Sequence, residues 1–335
     1  MGSIYLQEQG SKVSRQGRRL IVTKDDQELL SIPSHRTDRL VIMGRIQLTA
    51  SAMALLLDRQ IPVVLTTQRG QIRGTLMPSL GPHTQVRRKQ YTLAADPAFQ
   101  WSFCRDLVKA RAASAVNVIR RYGYNHPFLD LKSQIRQILD FSAQIEAQSS
   151  IDSLRGMEGM ISREYFAALV VIFRHLKMNF EGRVRRPPSD PVNACLSYVY
   201  ILLTALAENA LQTTGLDPFC GLMHAPNRNA PALALDFVEQ FRQPLADRFV
   251  MLLFNKRILQ KSDFETGQGN LRPVLLKTAA RKRLIAEWES FLHAPQRLIE
   301  KAQPLSPFQL IYQKAEHLEQ AIRNGKPFPF YQLSL

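Results

Sequence analysis

Three short stretches of the chain place carboxylates and one imidazole where chemistry uses them. Glu158 sits in Leu154-Arg155-Gly156-Met157-Glu158-Gly159, flanked by glycines that let another backbone or a ligand come close. His224 lies in residues 215–227, a segment rich in Gly, Pro and Asn that reads as a loop between two helices. Asp236 and Glu239 follow in Leu235-Asp236-Phe237-Val238-Glu239, and a spacing of three puts both on one side of a helix. Two like charges at an apolar boundary repel unless a cation or a base lies with them. Each stretch has a plain alternative. Glu158 is then an acid at a helix N-terminus favoured by the macrodipole. His224 is then a packing residue, and the acidic pair a solvated stripe joined to Arg242. Taken together, two carboxylates and an imidazole, with a further carboxylate in reserve, form a hard-to-borderline donor set. Magnesium prefers oxygens, and manganese tolerates the imidazole better. In a basic protein such a site points to phosphodiester chemistry, in which the metal polarises a phosphate and activates a hydroxyl or water.

The elements that must carry these residues fall into two kinds. Residues 4–7, 19–23, 28–32, 39–43, 61–66 and 71–77 are rich in Val, Ile and Leu and are separated by turn residues, so they read as strands. One helix interrupts them at 50–59, with Thr49 as its N-cap. Residues 78–83 gather Pro, Ser and Gly and read as a linker. From Asp96 the apolar period changes to 3.6 residues, predicting helices at 97–122, 127–145, 158–178, 191–213, 234–256, 273–301 and 306–324. Asp96-Pro97 and Asp190-Pro191 are cap-plus-proline starts. The expected architecture is α+β: a small β-sandwich-like domain at 1–80, a linker at 81–95 and a larger all-α catalytic domain at 96–335.

Composition narrows the partners. The chain has 335 residues, 45% of them hydrophobic, which is enough for a real core and excludes a disordered chain. Lys and Arg number 44 against 28 Asp and Glu, a net charge of +16, with a sequence pI near 10.1. Residues 1–95 hold 14 basic and 6 acidic residues, so the N-terminal part is the more charged per residue. This balance points to a polyanion, nucleic acid before membrane. The longest apolar stretch, 195–207, is shorter than the ~17–25 residues of a membrane span, and the N-terminus lacks the features of a signal peptide. Cys104, Cys195 and Cys220 are too few and too odd in number for a disulfide framework and fit a cytoplasmic location. There is no Gly-rich loop ending in Gly-Lys-Ser/Thr, no Gly-x-Ser-x-Gly elbow and no Cys-x-x-Cys pair. That argues against an NTPase, a serine hydrolase and a zinc finger.

The same segments, with Arg185-Arg-Pro-Pro-Ser-Asp-Pro-Val-Asn-Ala194, Gly215-Leu-Asp-Pro218, Leu253-Phe-Asn-Lys-Arg257 and Asp263-Phe264-Glu265, stand in an order and at distances that resemble the Cas1 family. This is the CRISPR-associated integrase and endonuclease of spacer acquisition, and the resemblance spans almost the whole chain. It implies a homodimer whose helical domain holds one Mn2+ or Mg2+ through Glu158, His224 and Glu239, which are also its catalytic residues. Asp236 would support the site, and the family's tyrosine and asparagine would correspond to Tyr198 and Asn193. Arg183, Arg185 and Arg186 would contact DNA phosphate. The implied reaction is insertion of short double-stranded DNA, a prespacer, into a CRISPR repeat by attack of a 3′-hydroxyl on a phosphodiester. Two dimers would be bridged by the second adaptation protein, Cas2, in a heterohexamer. The ligands alone do not reveal which oxygen attacks, so a general metal-dependent nuclease on branched or single-stranded nucleic acid is the alternative.

Overall fold

The structure is a computed structural model that describes residues 2–68, 72–77, 83–184, 187–224, 230–267, 272–297 and 303–333. It divides into two compact units, Met1–Pro82 and His83–Leu335.

The first unit is built from β1 (Gly2–Leu6), β2 (Lys12–Gln16), β3 (Arg19–Lys24), β4 (Gln27–Pro33), β5 (Thr37–Met43), β6 (Gln47–Leu48), α1 (Ala50–Asp58), β7 (Val63–Thr66) and β8 (Ile72–Leu76). They form two four-stranded sheets, ordered β1-β5-β7-β8 and β4-β3-β2-β6. One apolar cluster joins them, drawing Leu40, Ile42 and Val63 from the first sheet, Val13, Leu20, Val22 and Ile32 from the second, and Leu55 and Leu56 from α1. Helix α1 starts at Thr49, whose hydroxyl accepts from the Ala52 N–H, as the sequence predicts. The β3–β4 hairpin turns on Asp25 and Asp26, both with positive φ (48° and 60°), the backbone of a type I′ turn. Strand β2 has no counterpart among the predicted strands. Its sequence, Lys-Val-Ser-Arg-Gln, buries only Val13, and its neighbours β3 and β6 define it rather than its own composition.

The second unit contains α2 (Thr84–Ala94), α3 (Pro97–Asn125), α4 (Lys132–Ala143), α5 (Ile151–His175), α6 (Pro191–Thr213), α7 (Ala232–Phe241), α8 (Arg248–Asn255), α9 (Thr278–His293) and α10 (Pro307–Asn324). A two-stranded ribbon, β9 (Phe264–Thr266) with β10 (Val274–Leu276), precedes α9. The α+β class is as expected, but several boundaries differ. Residues 84–94, assigned to the linker, form a helix that buries Val86, Gln90 and Leu93. Helix α5 begins at Ile151, not at Glu158, because Ser150 and Ser153 close a capping box. Glu158 is therefore in the helix body. The single helix predicted at 234–256 is interrupted at residues 242–247 by a π-helical segment. Pro244 lacks the N–H that an α-helix needs there, and the wider turn accommodates the loss. The helix predicted at 273–301 holds β10 before α9 begins. Residues 78–82 of the expected linker lie outside the described residues.

Helix α6 is long and apolar enough to span a membrane, with mean hydropathy 1.5 over its most apolar window. Of that window 72% is buried inside the fold, where α6 packs against α7, α8 and α10. Its composition serves this core position.

Candidate active site

The loop that carries His224 is held from two sides. On one side stands α2. Gln90 donates from Nε2 to the Asp217 carbonyl at 2.9 Å and accepts the Asp217 N–H at 2.9 Å. Arg87 donates to the Gly215 carbonyl at 3.0 Å, and the Tyr91 hydroxyl donates to Asp217 at 2.9 Å. On the other side stands the start of α7. The Pro218 carbonyl accepts the Leu233 and Ala234 N–H groups, which a helix N-terminus leaves without partners. Gly221 permits this approach, since a Cβ there would fall 2.6 Å from the Ala232 Cβ and 3.1 Å from Asp236 Oδ2.

Asp236 is fully buried and accepts four hydrogen bonds. Oδ2 takes the Leu222 N–H (2.6 Å) and the Met223 N–H (3.0 Å). Oδ1 takes the His224 N–H (2.9 Å) and lies 2.6 Å from His224 Nδ1. A carboxylate has only acceptors to offer, so Nδ1 carries a proton and donates it to Asp236. The Met223 carbonyl is gripped in turn by Arg155 of α5, through Nε at 2.9 Å and through Nη2.

Glu158 and Glu239 arrive from different helices and converge on one guanidinium. Arg111 of α3 pairs through Nη2 with Glu158 Oε1 at 2.7 Å and through Nη1 with Glu239 Oε2. Ser162, one turn beyond Glu158, donates to Glu158 Oε1 at 2.8 Å and accepts from Arg111 at 2.7 Å. Glu239 also binds Arg242 at 2.7 Å. Burial pushes the Arg111 guanidinium below its ordinary pKa, and the charge of Glu158 opposes that shift. Asp236 and Glu239, three residues apart, therefore do not share a partner. One holds the imidazole and the other the arginines.

Behind Arg111 lies a third acid. Asp247, at the end of the π-helical segment, is 1% exposed and accepts from the Tyr200 hydroxyl at 2.6 Å. Burial raises its carboxyl to about 6, against the pull of Tyr200, Arg242 and Arg111. Arg242 and Arg183 lie over the Tyr200 ring at 5.0 and 5.3 Å from its centroid. A cavity of about 10 Å3, room for roughly one water, sits among Arg111, Tyr165, Tyr200, Arg242 and Asp247.

The structure sorts the expected site residues. Glu158 and Glu239 come together through Arg111, and His224 comes together with Asp236. Among the described residues no three His, Cys, Asp or Glu side chains cluster as a metal site. Asn193 is fully buried and pins the loop before α6: it accepts from the Val184 N–H and donates to the Gly182 carbonyl. Tyr198 is buried near Arg281, whereas Tyr200, two residues and about 200° further round α6, faces the arginine cluster. Arg183 donates to the Val184 carbonyl, Asn193 and Ser197, so its guanidinium fastens the loop to α6. Arg185 and Arg186 lie outside the described residues.

Arg111, Tyr200 and Asp247 have no place among the residues expected from sequence, whereas Arg242 was expected beside the acidic pair and does bind Glu239. For Arg111 a signal existed. The buried face of α3 runs Cys104, Leu107, Val108, Arg111, Ala115, Val118, an apolar stripe with one arginine inside it. A charge in such a stripe requires buried acids opposite it.

Comparison with known proteins gives matches over nearly the whole chain. The family described as CRISPR associated protein Cas1 matches residues 4–290. The chain is 30% identical over 331 residues to a CRISPR-associated endonuclease Cas1 of Thermus thermophilus, covering 98% of this chain and 99% of that protein. It is 32% identical over 292 residues to a Cas4/Cas1 fusion of Rhodospirillum rubrum, covering 85% of this chain and 50% of the fusion. Among solved structures, a casposase bound to integration product superposes with a TM-score of 0.84 at 20% identity, covering 100% of this chain and 96% of that one. A Cas1 protein from Thermotoga maritima superposes at 0.82 with 21% identity, covering 98% and 99%. At these identities the structural matches speak for the fold.

Proposed function

The chain belongs to the Cas1 family, and from that premise we propose that it is a metal-dependent DNA integrase of CRISPR adaptation. It would join the 3′-hydroxyl ends of a short DNA duplex to phosphodiesters at the edges of a repeat. The observation that carries this reading is the convergence of Glu158 and Glu239 on one guanidinium, two acids from separate helices meeting where a cation is required. Glu158, Glu239 and His224 suit a divalent ion in type: hard carboxylate oxygens with one imidazole, in keeping with Mn2+ or Mg2+. A bound ion would polarise the scissile phosphate and favour the ionised hydroxyl.

The chain's own residues do the rest. Asp236 holds Nδ1 of His224 and so aims Nε2 outward, the carboxylate–histidine pairing that orients metal ligands. Arg111 holds the half-buried Glu158 and the buried Glu239 near each other and offsets their charge. Breaking and making the same kind of bond needs no nucleotide hydrolysis, consistent with the missing phosphate-binding loop. The surplus of positive charge supplies the affinity for DNA backbone. The proposal extends to partners. Similar structures include a Cas6-RT-Cas1–Cas2 complex, of whose matched chain this one spans 36%, and a Cas1–DNA complex. We assign this chain DNA and a Cas2 subunit as partners, in an assembly of two homodimers bridged by Cas2, in the cytoplasm.

The test is a strand-transfer assay with 3′-hydroxyl duplex DNA, a plasmid carrying the cognate repeat, the Cas2 partner and Mn2+ or Mg2+. Joined product that vanishes in Glu239→Ala, with DNA binding retained, supports the proposal. Cleavage without joining makes the chain a metal-dependent nuclease that uses water. Joining that persists in Glu158→Ala, His224→Ala and Glu239→Ala overturns the site assignment.

A further inference from the structure

Among the described residues the two most exposed large apolar side chains, Tyr124 (87%) and Phe128 (68%), lie four residues apart, at the end of α3 and in the turn that follows. Phe128 belongs to an aromatic group that the site described above does not use, and Tyr124 stands on the last turn of α3 that leads into it. Tyr122 and His126 have ring centroids 4.5 Å apart, His126 and His175 5.0 Å, and Phe128 and His175 5.1 Å. Tyr122, His126 and His175 are half-buried and tie the turn to the end of α5. That packing accounts for three rings and leaves the exposure of Tyr124 and Phe128 unexplained. Folding alone does not favour a phenylalanine and a tyrosine held in water on a short, ring-braced turn.

The surroundings indicate what covers them. Arg120 and Arg121 precede the rings on α3, Lys132 opens α4, and Arg174 and Lys177 flank His175. All five are exposed, and the exposed acids in the same segments are Asp130 and Glu181. An apolar protein partner gains little from that cationic margin. A duplex gains from the cations but keeps its bases stacked and out of reach of the rings. Single-stranded nucleic acid uses both, with phosphates on the cations and unstacked bases on the ring faces. We propose that Tyr124 and Phe128 form a stacking platform for unpaired bases of single-stranded DNA. The position suits a strand leading to the active site. His175 and Glu158 share α5, 17 residues apart, which is roughly 25 Å of helix.

This inference rests on the proposed DNA reaction only for its role, and its test is independent of joining. Anisotropy titrations would compare a fluorescent oligothymidylate with a blunt duplex on the wild-type chain, on Tyr124→Ala/Phe128→Ala and on Tyr124→Trp/Phe128→Trp. Base–aromatic stacking contributes ~1–3 kcal/mol per base, so the alanine variant should bind the single strand at least about tenfold more weakly. The tryptophan variant should retain wild-type affinity, and the duplex should bind all three alike. Tyr124 and Phe128 are exposed, Tyr122, His126 and His175 keep their own contacts, and the tryptophan variant retains a ring against His175, so it controls for loss of local packing. Equal single-strand binding by wild type and the alanine variant overturns the platform. So does a parallel loss on duplex, or a wild-type oligomer that dissociates in the alanine variant, which would make the patch a protein interface. The titrations read binding without a divalent ion or a joining step, so the platform stands or falls whichever way the strand-transfer assay turns out.

Discussion

Replacing Arg111 with Met removes a cation shared by Glu158 and Glu239 while keeping a side chain that fills most of the space. The side chains of Arg111 and Glu239 are 6% and 4% exposed, so solvent cannot take over the lost charge. Glu239 keeps Arg242, and Glu158 keeps Ser162. Breaking a buried pair from one side costs about 3–5 kcal/mol, because the remaining charge stays desolvated. For a helical unit of this size that corresponds to a fall of about 6–20 °C in Tm. The same reasoning gives a second, less obvious outcome. Without the guanidinium, a divalent ion meets two acids with less competition, so Mn2+ should raise the Tm of Arg111→Met by more than it raises that of the wild type. An ion at a hundredfold its Kd adds about 2.7 kcal/mol to either form, and a tighter Kd adds more. Differential scanning fluorimetry in chelator and across a Mn2+ series measures both. A Tm within about 2 °C of wild type in chelator, or equal Mn2+ shifts in the two chains, would refute the view that Arg111 stands in for a cation between these acids.

Three further outcomes follow from the same geometry. Asp236→Ala should lower Mn2+ affinity by about 10–100-fold in isothermal titration, because His224 loses the partner that sets its tautomer; unchanged affinity would remove His224 from the ligand set. Asp247 has a carboxyl near 6 in the fold against an ordinary 3.8, so the folded state holds its proton more tightly. Its contribution is full below about pH 4 and is lost as the pH rises to about 6, roughly 3 kcal/mol in all. Urea denaturation of Asp247→Asn should lack that slope, and a slope equal to wild type would assign it to another group. Gly221→Ala should cost about 1–3 kcal/mol in the same denaturation experiment, since its Cβ meets Ala232 and crowds Asp236; a neutral effect would show that the loop before α7 gives way freely.

Much of the architecture was legible before the structure because local rules decided it. Thr49 caps α1, and Asp96-Pro97 and Asp190-Pro191 start α3 and α6, each through contacts within a few residues. Short Val-, Ile- and Leu-rich runs between turn residues, giving way after Asp96 to a 3.6-residue apolar period, separated a sheet-rich part from a helical one. Glu158, His224, Asp236 and Glu239 stood out by residue type and spacing, and the resemblance they carried agrees with the family match.

The rest depended on what lies opposite each residue in space. Nothing near Lys12–Gln16 marks a strand, and β2 exists because β3 and β6 offer it hydrogen bonds. The basic segment at 84–94 looked like a linker because its buried face is only Val86, Gln90 and Leu93, yet Gln90 and Arg87 brace the His224 loop. Whether Asp236 and Glu239 repel or cooperate could not be read from a spacing of three. It was decided by an imidazole and a guanidinium contributed from residues 224 and 111. Composition and local periodicity set which elements form. Only tertiary packing decides which buried charges meet, because a charge in a low-dielectric interior is tolerated only where a distant part of the chain brings its counter-charge.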